Sequence, residues 1–393
     1  MALTVSRRKF KPARPASESD RIWVLDGVRL AAALMVVAYH YLARGGGWAE
    51  SVQDVFPVAY KPAAYGWLGV ELFFMISGFV ICMSCWGRSP SEFFTSRVVR
   101  LFPAYWFAVI ATTAVVTLVP GGIVRRRWSD VLVNLTMLQQ PLGVPHVDGV
   151  YWTLAAELNF YLLFMLVVWR GVTYRSVLVF SLVWATLSAL MLKLNAPALT
   201  RLLMPDYSWY FIAGMAFHLM YRFRPTALLW AIVGTCFLIS QHFANRKVVE
   251  AETAMGFQVP HWPVTAVLAV FFMFFALLVT KRLQWVRWRW LPTAGALTYP
   301  LYLLHEYIGW EIIAKLEGDV DPWALVGGTV ALMLPVSWLV HRLLEKPVSR
   351  RMRVALRNAF AEVRELTPGP AMGKPPGPRE PVHPAGSAPE KVR

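Results

Sequence analysis

The stretch RLAAALMVVAYHY, from Arg29 to Tyr41, decides the fold class, because it forms most of a long apolar run near the N-terminus. A helix that crosses a membrane needs about 20 apolar residues, and this run extends over residues 24–43. A basic segment precedes it and no small-residue cleavage site follows, which predicts a retained first span rather than a signal peptide. Arg29 and His40 are costly in hydrocarbon, so both need a structural or functional reason.

The composition of the whole chain points to the same class. Of its 393 residues, 57% are hydrophobic and 16% are charged, whereas soluble domains carry about 25% charged residues. Many of the 18 Trp residues lie beside the ends of apolar runs, where indole rings favour the membrane–water boundary. The net charge of +16 fits membrane topology and anionic lipid better than nucleic acid, because no nucleic-acid-binding module accompanies it.

The sequence therefore predicts an all-α polytopic membrane protein with about ten transmembrane helices and no soluble domain. The runs are 24–43, 66–85, 101–120, 151–169, 175–194, 207–220, 227–243, 262–280, 296–314 and 323–343. Lys and Arg concentrate in the segments that place both termini in the cytoplasm, as expected of a plasma-membrane protein that follows the positive-inside rule. Arg125, Arg126 and Arg127 are the exception, because they fall in a predicted outer loop.

We divide the chain into four parts. Residues 1–21 form a basic cytoplasmic tail, and residues 22–347 form the membrane domain. Residues 348–366 have the pattern of a basic amphipathic helix that lies on the inner leaflet. Residues 367–393 are rich in proline and are predicted to be disordered. Internal repeats, which many transporters show, are not visible.

Arg29 and His40 are eleven residues apart, which is close to three helical turns, so both project from one face about 16 Å apart. Asp26 lies one turn before Arg29 and can pair with it. This face is predicted to look into a polar cavity. Arg29 also fits an anchor at the membrane interface, and His40 also fits a hydrogen-bonded structural histidine.

Further polar residues lie in or beside the next two spans. Glu71 is an acid in the outer part of the second span, and Ser77 with Gly78 offers a small surface for helix packing. Packing is favoured over a nucleophilic role for Ser77, because the strand–turn–helix elbow of serine nucleophiles is missing. Arg97 and Arg100 are one turn apart before the third span, where they can grip a phosphate or act as positive-inside anchors.

The fourth and ninth spans carry the remaining candidates. Glu157 and Tyr161 are four residues apart and share a helix face. An intramembrane acid is a functional candidate, and Glu157 can pair with the first-span histidine or with an arginine. His305 and Glu306 lie within the ninth span, where His305 is either functional or satisfies a neighbouring polar group. The spacing of His and acidic residues does not suggest a metal site.

Five motifs in order resemble those of the acyltransferase 3 family of integral-membrane O-acyltransferases. They are Arg29-x10-His40, VELFFMISGF (70–79), Arg97-x-x-Arg100, WTLAAELNFY (152–161) and YPLYLLH (299–305). The resemblance covers roughly residues 23–347, so it identifies the membrane part as an acyltransferase domain.

The resemblance implies transfer of an acyl group, most often acetyl, from cytoplasmic acyl-CoA to a hydroxyl. It implies a catalytic role for His40 as general base and for Glu157 as the acid of the fourth motif. It also implies that Arg29, Arg97 and Arg100 lie on the donor side. The chemistry suits these residues, because histidine removes protons near neutral pH and arginine binds phosphates such as those of coenzyme A.

Three functions remain open from the sequence. The first is O-acylation of an envelope or secreted glycan, and the second is O-acylation of a small secondary metabolite such as an antibiotic. The third is a transporter or flippase for a lipid-linked sugar, which would also use intramembrane Arg, His and Glu. Binding of acyl-CoA separates the enzymes from the transporter. The predicted partners are the lipid bilayer and a glycan or small-molecule acceptor, without nucleic acid.

Overall fold

The computed structural model describes residues 21–119, 126–191, 193–194 and 196–366. These residues are helical or irregular, without a β-strand, which confirms the predicted all-α class. Residues 1–20 of the tail assigned to residues 1–21, and all of the tail assigned to residues 367–393, lie outside the described residues, as does Arg125.

Fifteen α-helices follow one another along the described chain. They are α1 Trp23–Tyr39, α2 Val52–Val55, α3 Tyr60–Ala63, α4 Gly69–Ser84, α5 Pro90–Leu118, α6 Trp128–Asn134, α7 Trp152–Arg170, α8 Tyr174–Leu190, α9 Pro197–Leu203, α10 Ser208–Arg222, α11 Ala227–Met255, α12 Trp262–Val279, α13 Leu291–Leu316, α14 Pro322–Leu339 and α15 Lys346–Leu366.

Seven helical stretches among the described residues are long and apolar enough to cross a membrane. They are Trp23–Arg44, Tyr60–Ser84, Pro90–Leu118, Gly149–Arg170, Ala227–Met255, Trp262–Val279 and Pro322–Val363. Helix α8 is apolar but shorter. The fold is therefore that of a multi-pass membrane protein. Each of the ten apolar runs falls on one of these long helices or on α8, α10 or α13, and ten crossings remain a prediction.

Close helix packing holds the centre of the bundle together. Helix α4 crosses α10 where Gly78 meets Gly214, and a Cβ on Gly78 would lie 2.2 Å from the carbonyl oxygen of Phe211. Glycine is therefore required at this crossing. Helix α1 packs between α4 and α13, which brings the first-span polar residues against the fourth and thirteenth helices.

Two helices end in π-helical turns, at His40–Arg44 after α1 and at Val340–Glu345 after α14. Single π-turns inserted in helices often occur at functional sites, because the wider turn redirects side chains. The first turn carries His40 and Arg44, which belong to the first cluster described below, and the second carries Glu345, which pairs with an arginine of the second cluster.

Helix α15 continues from the second π-turn and lies beside the start of α5. The Ser349 hydroxyl donates a hydrogen bond to the carbonyl oxygen of Val99 at 2.6 Å, and the ring of Phe360 meets Phe94 edge-on. Arg350, Arg351 and Arg353 follow on its first turns. Its position on the inner leaflet is still a prediction.

Candidate active site

A buried carboxylate organises the first polar cluster, which we call the histidine cluster (His40, Arg44, Asp148, His305 and Glu306). His40 Nδ1 lies 3.2 Å from Glu306 Oε1, and Arg44 Nη1 donates to the same oxygen at 2.9 Å. Because the π-turn begins at His40, the side chains of His40 and Arg44 both reach this carboxylate. Glu306 is fully buried, so the two cationic or polar neighbours compensate for the cost of burying its charge.

His40 Nδ1 and Glu306 Oε1 are within ion-pair distance, but the two groups are not aligned as a hydrogen bond. His40 Nδ1 has no partner with hydrogen-bond geometry among the described residues. Catalytic hydrogen bonds are often poorly aligned without substrate and tighten in the complex. A carboxylate beside Nδ1 favours the tautomer that leaves Nε2 with its lone pair.

His305 faces His40 from α13, with the ring centroids 5.1 Å apart and nearly perpendicular. His305 Nδ1 lies 2.8 Å from the carbonyl oxygen of Tyr302. A carbonyl only accepts hydrogen bonds, so Nδ1 carries the hydrogen and Nε2 keeps its lone pair. Nε2 is buried without a hydrogen-bond partner among the described residues, so it is available to a hydroxyl group.

The loop that precedes α7 packs against Glu306. Asp148 accepts hydrogen bonds from the backbone N–H groups of Val150 and Tyr307, both at 3.2 Å, and its side chain lies close to that of Glu306. A Cβ on Gly149 would lie 2.4 Å from Glu306 Oε2, so glycine makes this approach possible.

Asp148 was missed by the sequence analysis. Its signal was an acid followed by glycine just before the WTLAAELNFY motif, but nothing in the sequence showed that this loop turns into the bundle.

Arg126, one of the three arginines in the predicted outer loop, has a structural role. Arg126 Nε donates to the carbonyl oxygen of His146 at 2.8 Å, two residues before Asp148. Burial lowers the pKa of His146, and Arg126 lowers it further, so His146 is held neutral. His146 Nδ1 lies 3.1 Å from Gln139 Nε2. Arg126 thus anchors the loop that supplies Asp148.

The second cluster, which we call the arginine cluster, contains Arg29, Arg97 and Arg100 with the residues around them. Arg29 Nη1 pairs with Asp26 Oδ1 at 3.3 Å, as the spacing predicted. Arg29 also lies within electrostatic range of Arg100 and Glu157. Helices α1, α5 and α7 therefore converge at this point.

Glu157 occupies the middle of the arginine cluster. Its Oε1 accepts hydrogen bonds from the Ser77 hydroxyl, at 3.2 Å, and from the Tyr161 hydroxyl. The sequence left open whether Glu157 lies beside the first-span histidine or beside an arginine, and in the structure it lies in the arginine cluster. The acid beside His40 is Glu306.

Arg97 and Arg100 present different guanidinium environments. Arg97 lies over the rings of Phe93 and Tyr161, at 5.8 and 5.7 Å, and has no carboxylate in ion-pair contact among the described residues. Arg100 Nη1 pairs with Glu345 Oε1 at 3.1 Å, and its side chain is 41% exposed. Arg97 is therefore the arginine most available to an anion.

A pair of hydroxyl groups lies between the two clusters. The Thr153 and Tyr302 oxygens are 3.0 Å apart. Thr153 is one turn from Glu157 on α7, and Tyr302 is one turn from His305 on α13. This hydroxyl pair therefore lies between the arginine cluster and the histidine cluster.

Glu71 belongs to neither cluster. It pairs with Lys247 of α11, with 3.2 Å between Nζ and Oε1. Sequence reasoning missed Lys247, because it lies beyond the apolar run of its span. Of the ten candidate site residues that the sequence predicted, seven lie in the arginine cluster and two in the histidine cluster, and Glu71 lies apart from both. The seven are Asp26, Arg29, Ser77, Arg97, Arg100, Glu157 and Tyr161, and the two are His40 and His305.

Among the described residues, groups of three or more His, Cys, Asp and Glu side chains arranged to hold a metal ion are not found.

Comparisons with known proteins show which family the chain resembles. A family model described as an acyltransferase domain matches residues 22–342. The chain is 30% identical over 156 residues to the acyltransferase MdmB of Streptomyces mycarofaciens, a match that covers 37% of this chain and 39% of that protein. It is 32% identical over 124 residues to nodulation protein 10 of Rhizobium leguminosarum bv. viciae, covering 26% of this chain and 34% of that protein.

The matched regions span well under half of each of these curated relatives. No solved structure matches the chain. The family model, in contrast, covers most of the chain and includes the histidine cluster and all three arginines, so this chain belongs to the acyltransferase 3 family.

Proposed function

We propose that this protein is a membrane O-acyltransferase that moves an acyl group, most often acetyl, from acyl-CoA to a hydroxyl group. The observation that carries the proposal is the buried carboxylate Glu306 beside His40, in a chain of this family. A histidine backed by a carboxylate is suited to remove a proton from a hydroxyl group and to hold the resulting charge.

The reaction follows from this arrangement. His40 Nε2 takes the proton of the acceptor hydroxyl, and the hydroxyl oxygen forms a bond to the thioester carbon. Glu306 stabilises the imidazolium that forms, because a negative charge close by favours the charged ring. The carbon–sulfur bond then breaks, and the imidazolium returns its proton to the coenzyme A sulfur. His305 Nε2, which has a free lone pair, accepts a hydrogen bond from a second hydroxyl of the acceptor and so orients it, because the proton of the reacting hydroxyl goes to His40.

The arginine cluster is the proposed donor end. Coenzyme A carries a pyrophosphate and a further phosphate, and guanidinium groups bind phosphates through paired hydrogen bonds. Arg97, which has aromatic rings rather than a carboxylate beside it, provides the first contact, and Arg29 and Arg100 complete the positive surface. The polar interior then gives the acyl arm a route toward His40. The donor approaches from the cytoplasm if both termini lie there, as the distribution of Lys and Arg predicts.

Both acceptor classes remain candidates, namely an envelope or secreted glycan and a small secondary metabolite. The transporter reading also requires buried charges, but it does not require acyl-CoA. The test follows radiolabel from acetyl-CoA in membranes that contain wild-type protein or His40→Ala. We expect label in a glycan or an organic-soluble fraction with wild type only, and the labelled fraction identifies the acceptor class.

Equal labelling with both proteins would remove His40 from the chemistry. Absence of labelling together with absence of acetyl-CoA binding would reject the acetyltransferase and favour the transporter.

A further inference from the structure

The loop between α12 and α13 carries exposed indole rings and positive charges that the proposed function does not use. Residues 281–290 read KRLQWVRWRW, with four cationic residues, three tryptophans and no acidic residue. We call this segment the tryptophan–arginine loop. It begins two residues after Val279, where an apolar helix long enough to cross a membrane ends, and it continues directly into α13. The loop therefore lies at a boundary of the membrane.

The three indole rings of this loop are exposed instead of packed inside the bundle. Trp285 is 70% exposed, Trp288 51% and Trp290 53%. The rings form one patch, because Trp288 and Trp290 stack with their centroids 5.9 Å apart and Trp285 meets Trp288 edge-on at 6.4 Å. An exposed apolar patch marks an interaction site, and indole rings favour the level of the lipid headgroups.

The positive charges of the loop are exposed and unpaired. The side chains of Lys281, Arg282, Arg287 and Arg289 all reach the surface, and none of them has an ion-pair partner among the described residues. Like charges repel one another, so an anion placed among them is favourable. Guanidinium groups bind phosphates through paired hydrogen bonds, which favours a phosphate group as that anion.

The loop lies at the end of the bundle that carries the arginine cluster. It leads into the first turns of α13, which pack closely against the start of α1. A Cβ on Gly27 would lie 2.7 Å from Leu291 Cδ2, and a Cβ on Gly295 would lie 2.4 Å from Asp26 Oδ1. Asp26 in turn pairs with Arg29 of the arginine cluster. The distribution of Lys and Arg predicts that this end faces the cytoplasm, where the leaflet carries anionic lipid.

We propose that the tryptophan–arginine loop is a binding site for an anionic phospholipid, with Arg287 and Arg289 on the headgroup phosphate and the rings of Trp288 and Trp290 beside the glycerol backbone. Charge complementarity favours an anionic lipid over a zwitterionic one, because the four positive charges of the loop have no acidic residue among them. The bound lipid holds the arginine-cluster end of the bundle at the membrane surface. This role is separate from acyl transfer.

The test is a native mass spectrometry titration of the full-length protein in detergent. Dioleoylphosphatidylglycerol is the anionic probe, and dioleoylphosphatidylcholine is the zwitterionic one. We expect wild type to bind the anionic probe at least about tenfold more tightly, and the double variant Arg287→Gln/Arg289→Gln to lose at least about tenfold in affinity for it, because each positive charge near the membrane surface strengthens lipid binding about fivefold.

The matched control is Lys61→Gln/Arg127→Gln. It also removes two exposed positive charges, but from the predicted outer loops, and it retains wild-type affinity for phosphatidylglycerol. An unchanged thermal unfolding midpoint without added lipid shows that each variant is folded. Lipid binding is measured without an acyl donor, so the result does not depend on whether the chain transfers an acyl group.

The proposal is overturned if wild type binds the two lipids equally, or if Arg287→Gln/Arg289→Gln binds phosphatidylglycerol as wild type does. In the second case, weaker binding of acetyl-CoA by the same variant would assign the loop to the donor site, with its indole rings against the adenine base.

Discussion

His40 and His305 face each other, but only His40 has a carboxylate behind its ring. Glu306 lies 3.2 Å from His40 Nδ1, whereas His305 Nδ1 has a backbone carbonyl at 2.8 Å. A carboxylate stabilises an imidazolium more than a neutral carbonyl does, which is why we assign proton removal to His40 and orientation of the acceptor, through a second hydroxyl, to His305.

The first prediction concerns Glu306→Gln. The amide keeps the shape of the side chain but removes the negative charge that stabilises the His40 imidazolium. We expect kcat to fall by about 10²–10⁴-fold, the range of general acid–base contributions, with little change in the affinity for acetyl-CoA. Initial rates measure this, with Glu317→Gln as control, because Glu317 binds the Ala49 N–H at the end of α13. A Glu306→Gln variant with wild-type kcat would contradict the proposed role.

The second prediction concerns the arginine cluster. Arg29→Lys and Arg97→Lys keep the charge but lose the planar fork of donors that matches phosphate. We expect each to weaken acetyl-CoA binding about tenfold, equivalent to about 1.4 kcal/mol, when binding is measured by titration calorimetry. Arg170→Lys, on the exposed end of α7, serves as control. If both variants bind acetyl-CoA as tightly as wild type, the phosphate role fails.

At the scale of the element, the helices were predictable but their local details were not. Hydropathy located the apolar helices, and the small pair Ser77–Gly78 indicated close helix packing without indicating the partner. In the structure Gly78 meets α10, whereas Ser77 bonds to Glu157 of α7. The π-turn at His40 has no sequence signature, because an extra residue in one turn changes neither hydropathy nor spacing enough to be recognised. Whether Glu157 or Glu306 lies beside His40 depended on how α7 and α13 are rotated, which the sequence left open.

The third prediction concerns the α4–α10 crossing. A Cβ in Gly78→Ala would meet the Phe211 carbonyl at 2.2 Å, so the helices must separate, at a cost of about 1–3 kcal/mol for overpacking. We expect a lower thermal unfolding midpoint, measured by the loss of monodisperse protein on size exclusion after heating. Gly327→Ala is the control, because a Cβ at Gly327 meets nothing within 4 Å. Equal midpoints for the two variants would contradict the packing argument.

At the scale of the whole molecule, the buried polar groups form two separate clusters within the bundle. The arginine cluster lies toward one end and the histidine cluster toward the other, and the Thr153–Tyr302 pair lies between them. The sequence predicted the residue types at both ends. It did not predict their grouping, because contacts between residues such as Glu71 and Lys247, far apart in the chain, arise only when the helices pack.

The fourth prediction concerns which side of the membrane each of the two clusters faces. The native cysteines Cys82, Cys85 and Cys236 are all buried and are replaced by alanine before single cysteines are introduced. We expect a membrane-impermeant maleimide to label Val58→Cys on intact cells, because Val58 is 76% exposed in the predicted outer loop. Arg357→Cys, on α15, should be labelled only after permeabilisation. The reverse pattern would place the donor end outside.

In the proposed mechanism, His40 removes the acceptor proton while the arginine cluster holds the donor. The most direct measurement is the rate of acyl transfer by His40→Ala at saturating acetyl-CoA, in nanodiscs, with acetyl-CoA affinity measured on the same sample. We predict a loss of at least about 10²-fold in rate with donor affinity within twofold of wild type. Transfer at the wild-type rate, with donor affinity intact, would contradict the account.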